Sequence, residues 1–354
     1  MSADHPHKAP GAEADGIAAR VGRLARNPAL RGIAGVFVMK SSIIVSNFLL
    51  IMAAARVLDT EHFGIYSILF SAVGLFCIVA TFGQQVSVMR WWNEYTAADD
   101  PALLKGALRF SFATCLAGCA IVAAGFYFWA ASNHAMMLAA AVTLFMVAQA
   151  SVLTTAHLVR TAVGVGAGDG FGNLLVVLPA LSYLAFCLAT GTAADVSTVF
   201  FLFSGGAITA MLLHFVFMRR RIQALYPDFA AIEPRHDRAS WRLRSFKLWI
   251  SNCLEASNQY LDVLIIGYLM SPAIAGAYFV TTRLANAFAT ASDTMHMFST
   301  RHIPDLYYRG EFKQLNSLLN SVAGITLAVV VGGMVVILAG GHFFLMVFNE
   351  AYVP

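Results

Sequence analysis

Residues 32–55, GIAGVFVMKSSIIVSNFLLIMAAA, run for 24 positions with one charged side chain, Lys40. The ~30 Å hydrocarbon core of a bilayer takes about 20 helical residues at ~1.5 Å each, so this stretch fits a membrane-spanning helix. It lacks the alternation of a barrel strand. Working outward, the same kind of stretch recurs at 65–84, 107–130, 134–157, 173–190, 196–218, 247–270, 275–300 and 318–339. The whole chain agrees: of 354 residues, 59% are hydrophobic and 12% charged, with a mean hydropathy of +0.70. A soluble chain carries about 25% charged residues, and a soluble fold must cover itself with polar surface. That balance excludes a soluble enzyme, a nucleic-acid-binding module and a disordered protein. The expected fold class is all-α, a polytopic integral membrane protein with about nine transmembrane helices.

Lysine and arginine placement orients those helices. With the N-terminus cytoplasmic, 20 of the 23 basic residues fall on cytoplasmic segments and helix ends, eight of them between Arg219 and Lys247. Arg56 alone is external, and Lys40 and Arg283 lie within spans. The positive-inside rule therefore favours a cytoplasmic N-terminus. Residues 1–30 are polar, without the apolar core of a signal peptide; Ile17 to Arg26 reads either as a short basic amphipathic helix or as a basic tail. Trp91 and Trp92, beside Arg90, read as an interfacial aromatic anchor. Cys77, Cys115, Cys119, Cys187 and Cys253 all fall within spans and indicate helix packing rather than a disulfide scaffold.

The clearest boundary is 219–246, opened by Arg219-Arg220-Arg221 and carrying Pro227 and Pro234. The segments flanking it echo each other. Arg56-Val57-Leu58-Asp59-Thr60-Glu61-His62-Phe63-Gly64-Ile65-Tyr66 follows the first span, and Tyr268-Leu269-Met270-Ser271-Pro272-Ala273-Ile274-Ala275-Gly276-Ala277-Tyr278 follows the seventh. Gly64 with Gly276, Tyr66 with Tyr278 and Asn47 with Gln259 share one offset, 212 residues. The first and seventh spans run the same way, so the repeat is parallel, an arrangement found in transporters. The expected organisation is a polar or amphipathic segment over 1–30, a six-helix lobe over 31–218, a basic linker over 219–246 and a partial lobe of three helices over 247–354.

These residues also resemble a family. Ala55-Arg56-Val57-Leu58 with Phe63-Gly64-Ile65-Tyr66 resembles the segment after the first helix of polysaccharide flippases. Leu261-Asp262-Val263-Leu264-Ile265-Ile266-Gly267 with Ala275-Gly276-Ala277-Tyr278 is similar to that family's second signature, Val263 standing where a basic residue is frequent. Met297 to Leu315, with Pro304 and Arg309-Gly310, is similar to the segment after the eighth helix. Over residues 30–354 the chain thus resembles the O-antigen and exopolysaccharide flippase branch of the multidrug/oligosaccharidyl-lipid/polysaccharide exporter superfamily. The resemblance implies a bacterial inner-membrane protein that moves undecaprenyl-pyrophosphate-linked oligosaccharide across the bilayer for lipopolysaccharide or exopolysaccharide synthesis. A polymerase or ligase is the implied partner. It also implies two complete six-helix lobes, against which this chain is expected to be C-terminally truncated.

Charges within a bilayer are costly and usually mark a pathway or a pair. Five lie well inside spans: Lys40, Glu255, Asp262, Arg283 and Asp293. Glu255, Gln259 and Asp262 fall at i, i+4 and i+7 on one helix face; Lys40 and Asn47 share another; Arg283, Asn286, Thr290 and Asp293 form a third. These stripes are expected to line one cavity between the lobes. Asp262 and Arg283 are equally far from the 270–275 turn and read either as a structural ion pair or as a gate. Lys40 reads either as a contact to the substrate pyrophosphate or as the charge that Glu255 neutralises. Burial would make Glu255 the proton- or sodium-responsive group, and no other cofactor is expected. Gly164 to Gly172 lacks the lysine of a phosphate loop and reads as a flexible cytoplasmic turn. The histidines His134, His157, His214, His296 and His302 are scattered, so no metal site is expected, and no nucleophile–base set suggests an enzyme. The alternatives are a multidrug or small-cation exporter of the same fold and a non-transporting scaffold of a polysaccharide-assembly complex.

Overall fold

The structure, a computed structural model, describes residues 28–283 and 311–348. Its helices are α1 (Pro28–Val57), α2 (Thr60–Thr81), α3 (Gln84–Ala97), α4 (Pro101–Asn133), α5 (Met136–Ala162), α6 (Phe171–Thr190), α7 (Val196–Leu225), α8 (Arg238–Leu269), α9 (272–283) and α10 (Phe312–Phe348). A π-helical turn, Gly166–Gly170, leads into α6. Among the described residues there is no strand, and 7 helices are long and apolar enough to cross a membrane. The chain is an all-α, multi-pass membrane protein.

Those seven overlap seven of the expected spans. The other two stretches differ in kind. Residues 247–270 form the second half of α8, whose first half is the basic Arg238–Lys247 segment and whose second carries Glu255 and Asp262, so α8 is amphipathic rather than uniformly apolar. Residues 275–300 begin in α9 and continue beyond the described residues. Four aspartates start helices by accepting backbone amides at the N-cap: Asp59 from Glu61 and His62 at 3.0 and 2.9 Å, Asp100 from Leu103 at 3.0 Å, Asp195 from Thr198 at 2.8 Å and Asp237 from Ser240 at 3.3 Å. Each satisfies an amide that the helix cannot. The His62 amide foremost holds the Asp59 carboxyl below its ordinary range, and this cap makes α2 start at Thr60 rather than at the expected 65.

The second span ends in a bend that composition does not announce. Phe82 and Gly83 take left-handed φ values of 49° and 73°, and the chain restarts as α3. Gly83 has no Cβ to meet the Ser245 carbonyl and the Trp249 backbone. Phe82 stacks on Trp249 with centroids 4.9 Å apart. The bend is therefore a seat for α8.

Two cores result. The larger lies among α1, α2, α4, α5, α6 and α7, with Val263, Phe279 and Val280 added from α8 and α9. The smaller gathers the end of the molecule that carries the basic linker: Trp91, Trp92 and Tyr95 of α3, Leu104 of α4, Met218 of α7 and Trp241 of α8. Trp91 and Trp92 are 1% and 4% exposed, which corrects their reading as an interfacial anchor. They are buried because α8 lays Trp241 over them, its Nε1 donating to Tyr95 Oη at 2.8 Å. The Gly-rich segment is likewise not a loose turn. Gly168 lies against the Ala156 carbonyl and the Arg160 backbone, where a side chain would not fit, Gly170 packs against the end of the Met39 side chain and Gly172 against His214. Arg160 pairs with Asp169 at 3.2 Å.

Candidate functional site

The 212-residue echo extends to the helices themselves. Val57 and Leu269 end α1 and α8, and Thr60 and Pro272 begin α2 and α9, each pair at that offset. The two repeats also touch at matching residues. A Cβ on Gly276 would lie 3.2 Å from Gly64 Cα, and one on Gly64 would overlap the Pro272 carbonyl. α2 and α9 therefore cross at residues that match at the 212-residue offset. Glycine is required there because the two backbones themselves are in contact.

Next to this crossing sits Arg283. Its guanidinium carbon lies 4.7 Å from the Phe279 ring centroid, 5.2 Å from Tyr260 and 5.9 Å from Phe70. Three rings from α9, α8 and α2 thus hold one cation. Among the described residues, Nε of Arg283 is buried without a hydrogen-bond partner, as is the Tyr66 hydroxyl. Phe70 and Tyr66 continue into a ring cluster with Phe145, Phe200 and Phe203 of α5 and α7. Cation–π attraction contributes about 2 kcal/mol where the cation is desolvated, and it needs no carboxylate.

Of the two readings of Asp262 and Arg283, the closed ion pair is not formed: the pairs found among the described residues do not include it. Equal distance from the turn sets equal depth on a hairpin but not equal direction. Asp262 accepts from the Val263 amide at 2.8 Å, whereas Arg283 turns toward the ring of Phe70 on α2. The remaining residues of the α8 stripe lie on the face opposite its packing. Trp241, Ser245, Ala256 and Val263 are buried, α8 packs chiefly on α2, and Glu255 and Gln259 are exposed. The burial expected for Glu255 is absent for that reason. On α1, Lys40 and Asn47 are half-buried; Asn47 Nδ2 donates to the Ile43 carbonyl at 2.8 Å. Lys40 and Glu255 do not pair, since α1 packs chiefly on α6 while α8 packs on α2. Asn286, Thr290 and Asp293 lie outside the described residues, as do His296 and His302.

Two polar nodes were not legible as such. His214 is fully buried; its Nδ1 lies 3.1 Å from Thr155 Oγ1 and its Nε2 3.1 Å from the Gly168 carbonyl. It ties α5 and α7 to the π turn, and the only sequence signal was a histidine within a span. Lys105, 8% exposed, donates to the carbonyls of Phe229, Ala230 and Ile232 at 2.9, 2.8 and 2.7 Å and lies 5.6 Å from the Phe229 ring centroid. One ammonium thus fixes the linker on α4, with carbonyls in place of a counter-ion. No group of histidine, cysteine and carboxylate side chains among the described residues suits a metal.

Comparison with curated proteins found no match, and neither did comparison with solved structures. The sequence profile of one family, described as Polysaccharide biosynthesis protein, matches residues 30–291, which include both quoted signature segments and stop short of Met297–Leu315. The helical repeat that crosses at Gly64 and Gly276 lies within that match, and the chain belongs to the polysaccharide biosynthesis protein family.

Proposed function

We propose that this chain is a flippase that moves a lipid-linked oligosaccharide, of the undecaprenyl-pyrophosphate-linked repeat-unit type, from the cytoplasmic to the outer leaflet of a bacterial inner membrane. The observation that carries the proposal is a pair of helix connections that match at one 212-residue offset and meet at Gly64 and Gly276, in a member of a polysaccharide biosynthesis family. Parallel repeats related by an axis along the membrane normal are a common plan of alternating-access transporters. In this reading 31–218 and 247–354 belong to two lobes joined by the 219–246 linker, and the N-terminus is cytoplasmic. Lys40, Asn47, Glu255, Gln259, Asp262, Arg283, Asn286 and Asp293 are the pathway candidates. The exposed Glu255 and the half-buried Asp262 are the candidates for proton or sodium coupling, and no catalytic residue is assigned. A polysaccharide polymerase or ligase would take the product.

The test is translocation in proteoliposomes of a fluorescent lipid-linked oligosaccharide, read as probe accessible to an impermeant quencher. Quencher-accessible probe should rise only with protein present, and Arg283→Gln should lower the rate at least about fivefold, because a desolvated cation at the repeat crossing is lost. Protein-free and protein-containing vesicles of equal rate would sink the proposal.

A further inference from the structure

Cations crowd the basic end of the molecule, and several have defined partners. Arg160 pairs with Asp169, Arg244 with Glu94 at 2.8 Å and Arg235 with Asp100; the Lys105 ammonium is filled by three carbonyls. Arg109, Arg238 and Arg242 have no carboxylate partner among the described residues. Among the described residues, the one side-chain bond of Arg242 runs from Nε to the Arg238 carbonyl, at 3.3 Å. Asp237, adjacent in sequence, is occupied in capping α8.

These three arginines line one crevice between α4 and α8. A part of about 650 Å³ is walled by Phe110, Arg242, Leu243 and Phe246, and an adjoining part of about 680 Å³ by Arg109, Ala113, Ile121 and Arg238; Phe82, Phe110 and Thr114 belong to both. The cations stand at one end and the rest is largely apolar. Along α4 the wall runs from Arg109 to Ile121, ~18 Å at 1.5 Å per residue, close to the ~15 Å depth of one leaflet's hydrocarbon. Ile121, Leu243 and Phe246 are 71%, 59% and 52% exposed, so the crevice opens sideways to lipid. The α8 wall is fixed: Trp241 bonds Tyr95, Ser245 lies 3.1 Å from Ser87, and Trp249 donates to the Val79 carbonyl at 3.0 Å. Arg238 and Arg242 are therefore presented one turn apart on a held helix, which lowers the ordering cost of binding.

We propose that this crevice binds an anionic glycerophospholipid of the leaflet into which the basic end opens, its phosphate among Arg109, Arg238 and Arg242 and an acyl chain along α4. Charge selects an anion, and a channel ending near mid-bilayer suits a chain of one leaflet's length rather than a long polyprenyl tail. The site uses none of the pathway candidates, so it stands or falls separately from the flippase reading. Native mass spectrometry of the full chain in detergent, titrated with phosphatidylglycerol or phosphatidylcholine, tests it. Each arginine near an anionic headgroup is worth about fivefold, so wild type should retain phosphatidylglycerol at least about tenfold over phosphatidylcholine. Arg109→Gln/Arg242→Gln should reduce that preference at least about tenfold, and Arg242→Gln alone should lower it measurably if the double variant does not fold. Ala113→Trp, which fills the channel and leaves the charges, should cut phosphatidylglycerol retention at least about fivefold. Unchanged preference in the arginine variants, unchanged retention in Ala113→Trp, or displacement of phosphatidylglycerol by equimolar polyprenyl phosphate would each overturn the proposal.

Discussion

Arg283 shows how a cation can be held without a carboxylate partner among the described residues. Its stabilisation comes from the faces of Phe279, Tyr260 and Phe70, and Asp262 is bonded elsewhere. A double-mutant cycle between Asp262→Asn and Arg283→Gln, read by thermal unfolding in detergent, should therefore give a coupling under ~0.5 kcal/mol, where a buried pair would give more. Arg283→Gln alone should destabilise by about 1–2 kcal/mol. Lys105 makes the complementary case. Lys105→Met removes three charge-assisted bonds to backbone and should destabilise by about 1–3 kcal/mol while exposing 226–237 to limited proteolysis. The sequence showed which side chains carry charge, but the direction in which each points depends on the rotation of its helix against a neighbour. That rotation is why Asp262 and Arg283 are not paired although the hairpin itself is present.

At the scale of elements, backbone contact does what side chains usually do. α2 and α9 cross through Gly64 and Gly276, and the π turn is fitted through Gly168, Gly170 and Gly172. Gly64→Ala should cost about 1–3 kcal/mol through overpacking against the Pro272 carbonyl. Gly35→Ala, inside α1 where a Cβ meets nothing, should instead leave thermal stability unchanged or raise it by up to about 1 kcal/mol. Seven spanning helices were legible because hydropathy integrates over ~20 residues and is indifferent to local geometry. The Phe82–Gly83 bend, the π turn and the burial of Trp91 beneath Trp241 were not. Each depends on where a distant helix, α8 or α7, comes to rest. Gly64 and Gly276 were visible as matching residues, but their contact is a property of the folded pair.

For the whole molecule, the charge asymmetry of the sequence becomes a spatial one. The α3 helix, the start of α4, the end of α7 and the start of α8 meet in one cluster, and the linker is strapped there by Lys105. Antiparallel succession sends the α6–α7 connection, residues 191–195, to the other end. Anionic lipid and the membrane potential both favour the arginine-rich end on the cytoplasmic side, and a flippase loading from that side would need it there. Single cysteines decide the matter cleanly, because Cys77, Cys115, Cys119 and Cys187 are buried and Cys253 is half-buried in α8. Ala193 and Ala231 are exposed on the two opposing connections. In intact spheroplasts, an impermeant maleimide should label Ala193→Cys and leave Ala231→Cys unlabelled until the membrane is permeabilised. The reverse pattern would put the basic linker outside, and the proposed direction of transport would have to be abandoned with it.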